Sequence, residues 1–112
     1  MMTANDYQKE CLRTVPKNMY KGDELLMALM GLNGEAGECI DLHKKVLYHG
    51  HPFDEKRLAL ELSDTLWYIS VAAHAIGYDL ETIMKMNVEK LRKRYPDGFS
   101  RERSLNRDAG DK

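Results

Sequence analysis

Gly31-Leu32-Asn33-Gly34-Glu35-Ala36-Gly37-Glu38 is the stretch on which the reading of the chain turns. It sets two carboxylates three residues apart, among three glycines, inside a longer helical pattern. That pattern opens near Asp23, a reasonable N-cap, and runs to about Tyr48. Leu25, Leu29, Leu32, Ala36, Ile40, His43 and Leu47 recur every three or four residues along it and predict one continuous apolar face. At about 100° per residue, Glu35 and Glu38 fall well away from that face, with Gly31 and Gly34 near them. A glycine inside a helix costs roughly 1 kcal/mol relative to alanine. Three of them suggest a close helix–helix contact, room for a ligand beside the carboxylates, or both.

A second carboxylate pair, Glu61 and Asp64, repeats the spacing on the next predicted helix. That helix runs from Asp54, a good N-cap, to about Ile76, with Gly77 as the C-terminal stop. Leu58, Leu62, Ile69, Ala72, Ala73 and Ile76 form one apolar stripe. Leu60 and Trp67 lie nearly opposite, and Glu61, Asp64 and Tyr68 fall between the two. Carboxylates on the flank of a buried helix are costly unless paired or metal-bound. Residues i and i+3 share a helix face, so each pair can aim two carboxylates at one point. Facing pairs on adjacent antiparallel helices would suit a hard divalent cation, most plausibly Mg²⁺. Mg²⁺ uses one or two carboxylates per ion together with waters and phosphates. Four carboxylates therefore favour a multi-ion site able to hold a triphosphate and to lower the pKa of a water for in-line attack on phosphorus.

Two more helices and a tail flank this centre. The first predicted helix runs from about Ala4 to Arg13, carries Tyr7, Cys11 and Leu12 as a thin apolar stripe, and stops at Thr14-Val15-Pro16. The fourth runs from after Asp79 to about Tyr95, where Pro96 ends it. Leu80, Met84, Val88, Leu91 and Tyr95 form its core face. Asn87, Lys90 and Arg94 make a ridge along the edge, placed either as solvated side chains or as a clamp on phosphate oxygens. Trp67 or Tyr68 can offer a ring face to a base. His43 and His74 read as packed, hydrogen-bonded histidines, and His49-Gly50-His51-Pro52 as a solvated turn. Residues 97–112 are polar, with Phe99 and Leu105 as their large apolar side chains, and are expected to be a loosely docked or disordered tail. The organisation predicted is thus a single helical domain, 1–96, and a tail, 97–112.

The bulk numbers narrow the setting. With 112 residues, 43% of them hydrophobic, the chain has the size and composition of one globular domain. A formal net charge of −1 gives no global bias toward nucleic acid or anionic membranes. Two cysteines, Cys11 and Cys39, make no disulfide scaffold and suit a reduced, cytoplasmic setting. The longest apolar run, Leu25 to Met30, is far too short to span a bilayer, and the N-terminus lacks a signal-peptide pattern. No Walker loop, nucleophile elbow or zinc-type cluster is present.

On these residues the chain resembles the MazG-like family of all-α nucleoside triphosphate pyrophosphohydrolases, over nearly its whole length. The family's ExxE…ExxD signature is similar to Glu35, Glu38, Glu61 and Asp64. The surrounding segments, the closing Asn87-Val88-Glu89-Lys90-Leu91-Arg92-Lys93-Arg94-Tyr95-Pro96-Asp97-Gly98-Phe99, and more weakly Tyr7-Gln8 with Arg13-Thr14, look like the family too. Ser63 departs from it, standing where similar sequences often carry glycine. The resemblance implies a four-helix-bundle-type all-α fold that forms a homodimer or homotetramer with sites near subunit interfaces. It implies a Mg²⁺-dependent hydrolase, with Mn²⁺ as substitute, that splits a nucleoside triphosphate between the α and β phosphates. The four carboxylates would be the metal ligands, with Glu35 and Glu38 also placed as the catalytic pair. One of the four would orient the attacking water. Asn87, Lys90 and Arg94 would contact the substrate.

Three other readings compete with this one. A carboxylate-bridged di-iron bundle needs Glu-x-x-His on two helices, and no glutamate here has histidine three residues on. A non-catalytic helical adaptor would leave its acidic pairs solvated. The same fold could also serve a specialised substrate such as dUTP, dCTP, a modified nucleotide or phosphoribosyl-ATP, which the residues do not separate.

Overall fold

The helix ends follow the chain's own punctuation. The computed structural model describes residues 1–20, 22–108 and 110–111, and its elements are α1 (Ala4–Leu12), α2 (Asp23–Tyr48), α3 (Glu55–Ala75), α4 (Leu80–Arg94) and α5 (Arg101–Leu105). The protein is all-α; among the described residues no β-strand forms, and no helix is long and apolar enough to cross a membrane. Thr3 opens α1 with a capping box, its hydroxyl accepting from the Asp6 N–H while the Asp6 carboxylate accepts from the Thr3 N–H. The Asp54 carboxylate caps α3 as expected, accepting from the Arg57 N–H at 3.1 Å. Gly77, at φ +86°, ends it in a Schellman turn. There the Tyr78 N–H donates to the Ala73 carbonyl and the Gly77 N–H to the His74 carbonyl. One cap differs from expectation. Gly22, at φ +141°, takes the N-cap of α2, so Asp23 is the first helical residue and acts through its charge on the helix dipole instead.

The chain forms two compact units, Met1–Leu80 and Glu81–Lys112. In the first, α2 and α3 run antiparallel along one another. Ala28 shares a buried cluster with Val71. Gly31 lies against the Tyr68 ring. Glu38 faces Glu61, and Leu42 and Leu58 line one small cavity of about 50 Å³ at the hairpin end. A Cβ on Gly31 would overlap the Tyr68 ring, whereas Gly34 and Gly37 have open space where a Cβ would stand. Of the two explanations for the glycines, close contact therefore holds at Gly31, while Gly34 and Gly37 face open space.

This register corrects the predicted core face of α2. The side turned to α3 is the one bearing Ala28, Gly31, Glu35, Glu38 and Leu42. The apolar stripe points away from it: Leu29, Ile40 and Leu47 are 49%, 65% and 59% exposed. Helical periodicity reports that a face needs burial, not which surface supplies it, and here the small and acidic side fits α3. On α3 the predicted stripe splits likewise: Ala73 is buried, while Leu62 and Ile76 are exposed. His43 and His74 are exposed rather than packed in a core, His43 meeting Phe53 edge-on at 6.4 Å.

α1 packs on α3 and closes the small core of Cys11, Ala28 and Val71. Gln8 ties this corner together. Its buried amide donates to the carbonyls of Ser70 (3.1 Å) and Tyr78 (3.2 Å) and accepts from the Leu80 N–H (3.0 Å). One side chain thus ties α3 to the turn after it and gives the Leu80 N–H, an orphan donor in the first turn of α4, an acceptor.

In the second unit the polar tail holds a short helix that composition did not foretell. Ser100 caps α5 by accepting from the Arg103 N–H. Arg103 donates back to the carbonyls of Arg94 (2.7 Å) and Lys93 (3.3 Å), filling the open end of α4. Arg94 Nε is bonded to both carboxylate oxygens of Asp111, at 2.7 and 2.9 Å.

Candidate metal centre

Glu35 and Glu38 stand one turn apart on α2, and Glu61 and Asp64 one turn apart on α3. The antiparallel register sets Glu35 level with Asp64 and Glu38 level with Glu61. Oxygens of Glu35, Glu38 and Glu61 all lie within 4.8 Å of one another. Asp64 lies outside that cluster and joins Glu35, Trp67 and Tyr68 in lining an open cleft of about 310 Å³ beside it. The structure thus unites three of the four expected carboxylates and places the fourth, with both aromatic candidates, on the adjoining wall.

The electrostatics are those of an uncompensated anionic cluster. The Glu38 carboxyl is held above the usual carboxylate range, chiefly by Glu61, through a shared hydrogen bond and then through its charge. Loss of water and the Asp64 charge push the same way, and a hydrogen bond to Glu35 opposes them. One carboxylate oxygen of Glu35 and one of Glu61 are buried without a hydrogen-bond partner. Buried oxygens left bare cost free energy, and here they belong to two of the three side chains that converge. An all-oxygen donor set with unfilled buried acceptors fits a hard divalent cation. A solvated acidic pair, as in the adaptor reading, would have no such orphaned oxygens.

Two residues of α1 and its exit that sequence reasoning assigned no role also reach this region. Tyr7 packs against the core beside Trp67 and Tyr68. Burial, then the neighbouring Cys11, then the Asp64 charge push its phenol above the ordinary tyrosine range. Thr14 accepts a hydrogen bond from the Trp67 indole N–H at 2.8 Å. The faint signal for both lay in Tyr7-Gln8 and Arg13-Thr14. Asn87 and Lys90 are exposed on α4 in the second unit, where Arg94 is engaged by Asp111.

A sequence model of the MazG nucleotide pyrophosphohydrolase domain matches residues 23–99. The Gene 37 protein of Mycobacterium phage L5 is 38% identical over 73 residues, which cover 62% of this chain and 64% of that protein. The chain therefore spans somewhat less than two thirds of that relative's length. No solved structure gives a significant match.

Proposed function

The chain belongs to the MazG nucleotide pyrophosphohydrolase family, and from that premise we propose that it is a Mg²⁺-dependent nucleoside triphosphate pyrophosphohydrolase. Water and the triphosphate would give a nucleoside monophosphate and pyrophosphate, the bond between the α and β phosphates being the one that breaks. The observation that carries this reading is the convergence of Glu35, Glu38 and Glu61 within 4.8 Å, with two buried, partnerless oxygens among them.

In this reading the three glutamates, with Asp64 beside them, hold the metal. When bound, Mg²⁺ would offset phosphate charge and lower the pKa of a water; Mn²⁺ would substitute. Glu35 and Glu38 are proposed as the catalytic pair, and one of the four carboxylates would orient the attacking water and take up its proton. The Trp67 and Tyr68 walls give the cleft apolar surface against which a base can lie. Asn87, Lys90 and Arg94 are proposed as substrate contacts on the resemblance of their segment. Arg94 would exchange the Asp111 carboxylate, whose two oxygens now share its Nε–H, for a phosphate.

The outward stripe of α2 supports a homodimer or homotetramer. Leu29, Ile40 and Leu47 all stand exposed along that stripe, and exposed apolar stripes are the surfaces that partner chains cover. Free Cys11 and Cys39 suit a reducing, cytoplasmic compartment.

The test is pyrophosphate release from a panel of ribo- and deoxyribonucleoside triphosphates, with Mg²⁺ and then with chelator. Metal-dependent release from any of them is the expected result. Silence across the panel combined with Mg²⁺-induced thermal stabilisation would move the reading to a modified nucleotide or phosphoribosyl-ATP. Silence without stabilisation would sink it in favour of an adaptor.

A further inference from the structure

The indole N–H of Trp67 is spent inside the protein. It donates to Thr14 Oγ1 at 2.8 Å, and that hydroxyl donates in turn to the Cys11 carbonyl at 2.7 Å, at the end of α1. The hydroxyl's proton is thereby fixed with its oxygen facing the indole, and the ring is held from a segment that lies outside the family match at 23–99. On its other side Trp67 meets Tyr68 edge-to-face, with centroids 4.9 Å apart and planes at 85°. Tyr68 is itself set by its fit against Gly31. Trp67 and Tyr68 then form the cleft wall beside Glu35 and Asp64.

An indole has one polar group, a donor. With that donor committed to Thr14, Trp67 has only its ring to present to anything in the cleft. A ring face stacks on any planar base, and stacking discriminates little because every base has a π-face. We infer that Thr14 is a positioning residue for Trp67, and that Trp67 binds the base by stacking without reading its edge. The inference rests on the proposal that a nucleotide occupies the cleft.

The test compares wild type, Thr14→Val and Thr14→Ser. Valine keeps the shape and removes the hydroxyl; serine keeps the hydroxyl. Trp67 is the single tryptophan, so one indole N–H signal in a ¹H–¹⁵N spectrum reports the bond in the free protein. That signal should move in Thr14→Val and return in Thr14→Ser. Loss of one such hydrogen bond should raise KM roughly two- to tenfold for every base in the triphosphate panel. kcat and Mg²⁺-induced thermal stabilisation should stay as in wild type, and Thr14→Ser should restore KM. A shifted indole signal with unchanged KM would overturn the inference. So would a fall in kcat together with lost Mg²⁺ stabilisation, which would mark Thr14 as a general fold element. A KM penalty confined to one base would overturn the stacking part. If wild type hydrolyses no triphosphate of the panel, the parent reading shifts or fails by its own test. The inference is then decided by titrating nucleoside monophosphates against the indole signal, and an unmoved signal overturns it as well.

Discussion

The two long faces of α2 are mismatched to their surroundings in opposite senses. The face against α3 is partly buried yet acidic, with Glu35 and Glu38 meeting Glu61 and two buried oxygens lacking partners. The outward face is apolar yet wet, with Ile40 and Leu47 mostly exposed. Either feature alone would be an oddity of one helix. Together they describe a helix built between two absences, positive charge on one side and apolar surface on the other. On the proposed reading the inner face binds the cation that its crowded carboxylates call for, and the outer face is covered by a second copy of the chain. The difference teaches that apolar periodicity and function need not share a face, and that the less hydrophobic side can be the one a neighbouring helix covers.

The comparison can be broken most sharply on the inner face. Glu38→Gln and Glu61→Gln keep size and polarity but remove charge. Outer partners of metal ligands are worth about 10- to 100-fold, so loss of a ligand should cost at least roughly 100-fold in metal-dependent pyrophosphate release. Mg²⁺-induced thermal stabilisation should vanish with it. Wild-type turnover in both variants would remove the site assignment. On the outer face, Ile40→Lys combined with Leu47→Lys should shift the species measured by light scattering to a smaller mass. If that face is solvated in solution, the mass will stay put and stability will change by no more than about 0.5 kcal/mol, as for ordinary surface changes.

The glycines sharpen the contrast within one helix. Gly31→Ala drives a Cβ into the Tyr68 ring and should cost about 1–3 kcal/mol in denaturant unfolding, the usual penalty of overpacking. Gly34→Ala meets open space and should instead gain up to about 1 kcal/mol from helix propensity. The same sign for both would mean that the α2–α3 register is wrong.

The smallest effect is a pH slope. Glu38 titrates above its ordinary 4.5 in the folded, metal-free protein. The folded state therefore holds that proton more tightly than the unfolded chain. Its contribution to stability is present below the ordinary pKa and is lost as pH rises through the raised one. Thermal melts in chelator should show wild type losing stability across that window, and Glu38→Gln should lack this part of the slope. Metal binding should run the other way, weakening as pH falls through the same window, because the ligand must be ionised.

Much of the architecture was legible because it is written in local chemistry. Thr14-Val15-Pro16, Gly77 and Pro96 stop helices by backbone constraint alone, and Asp54 starts one. The three-residue spacing of Glu35 with Glu38 and of Glu61 with Asp64 fixed which oxygens share a face, whatever the fold. The α2 cap went to Gly22 rather than Asp23 because the chain enters at positive φ, a turn geometry no propensity reports. α5 was hidden because five residues carry little periodicity, and what marks its place is Arg103 reaching back to α4.

The sequence by itself therefore determined the helices, their approximate ends, the paired carboxylates and the family, since each depends on neighbours within a few residues or on a recurring pattern. Only the tertiary structure decided which face of α2 turns inward, that Asp64 stands beside the cluster rather than in it, and that Thr14 holds Trp67. These depend on how far apart side chains end up across two helices. The missing Cβ of Gly31, which lets Tyr68 press against the α2 backbone, helps set that separation.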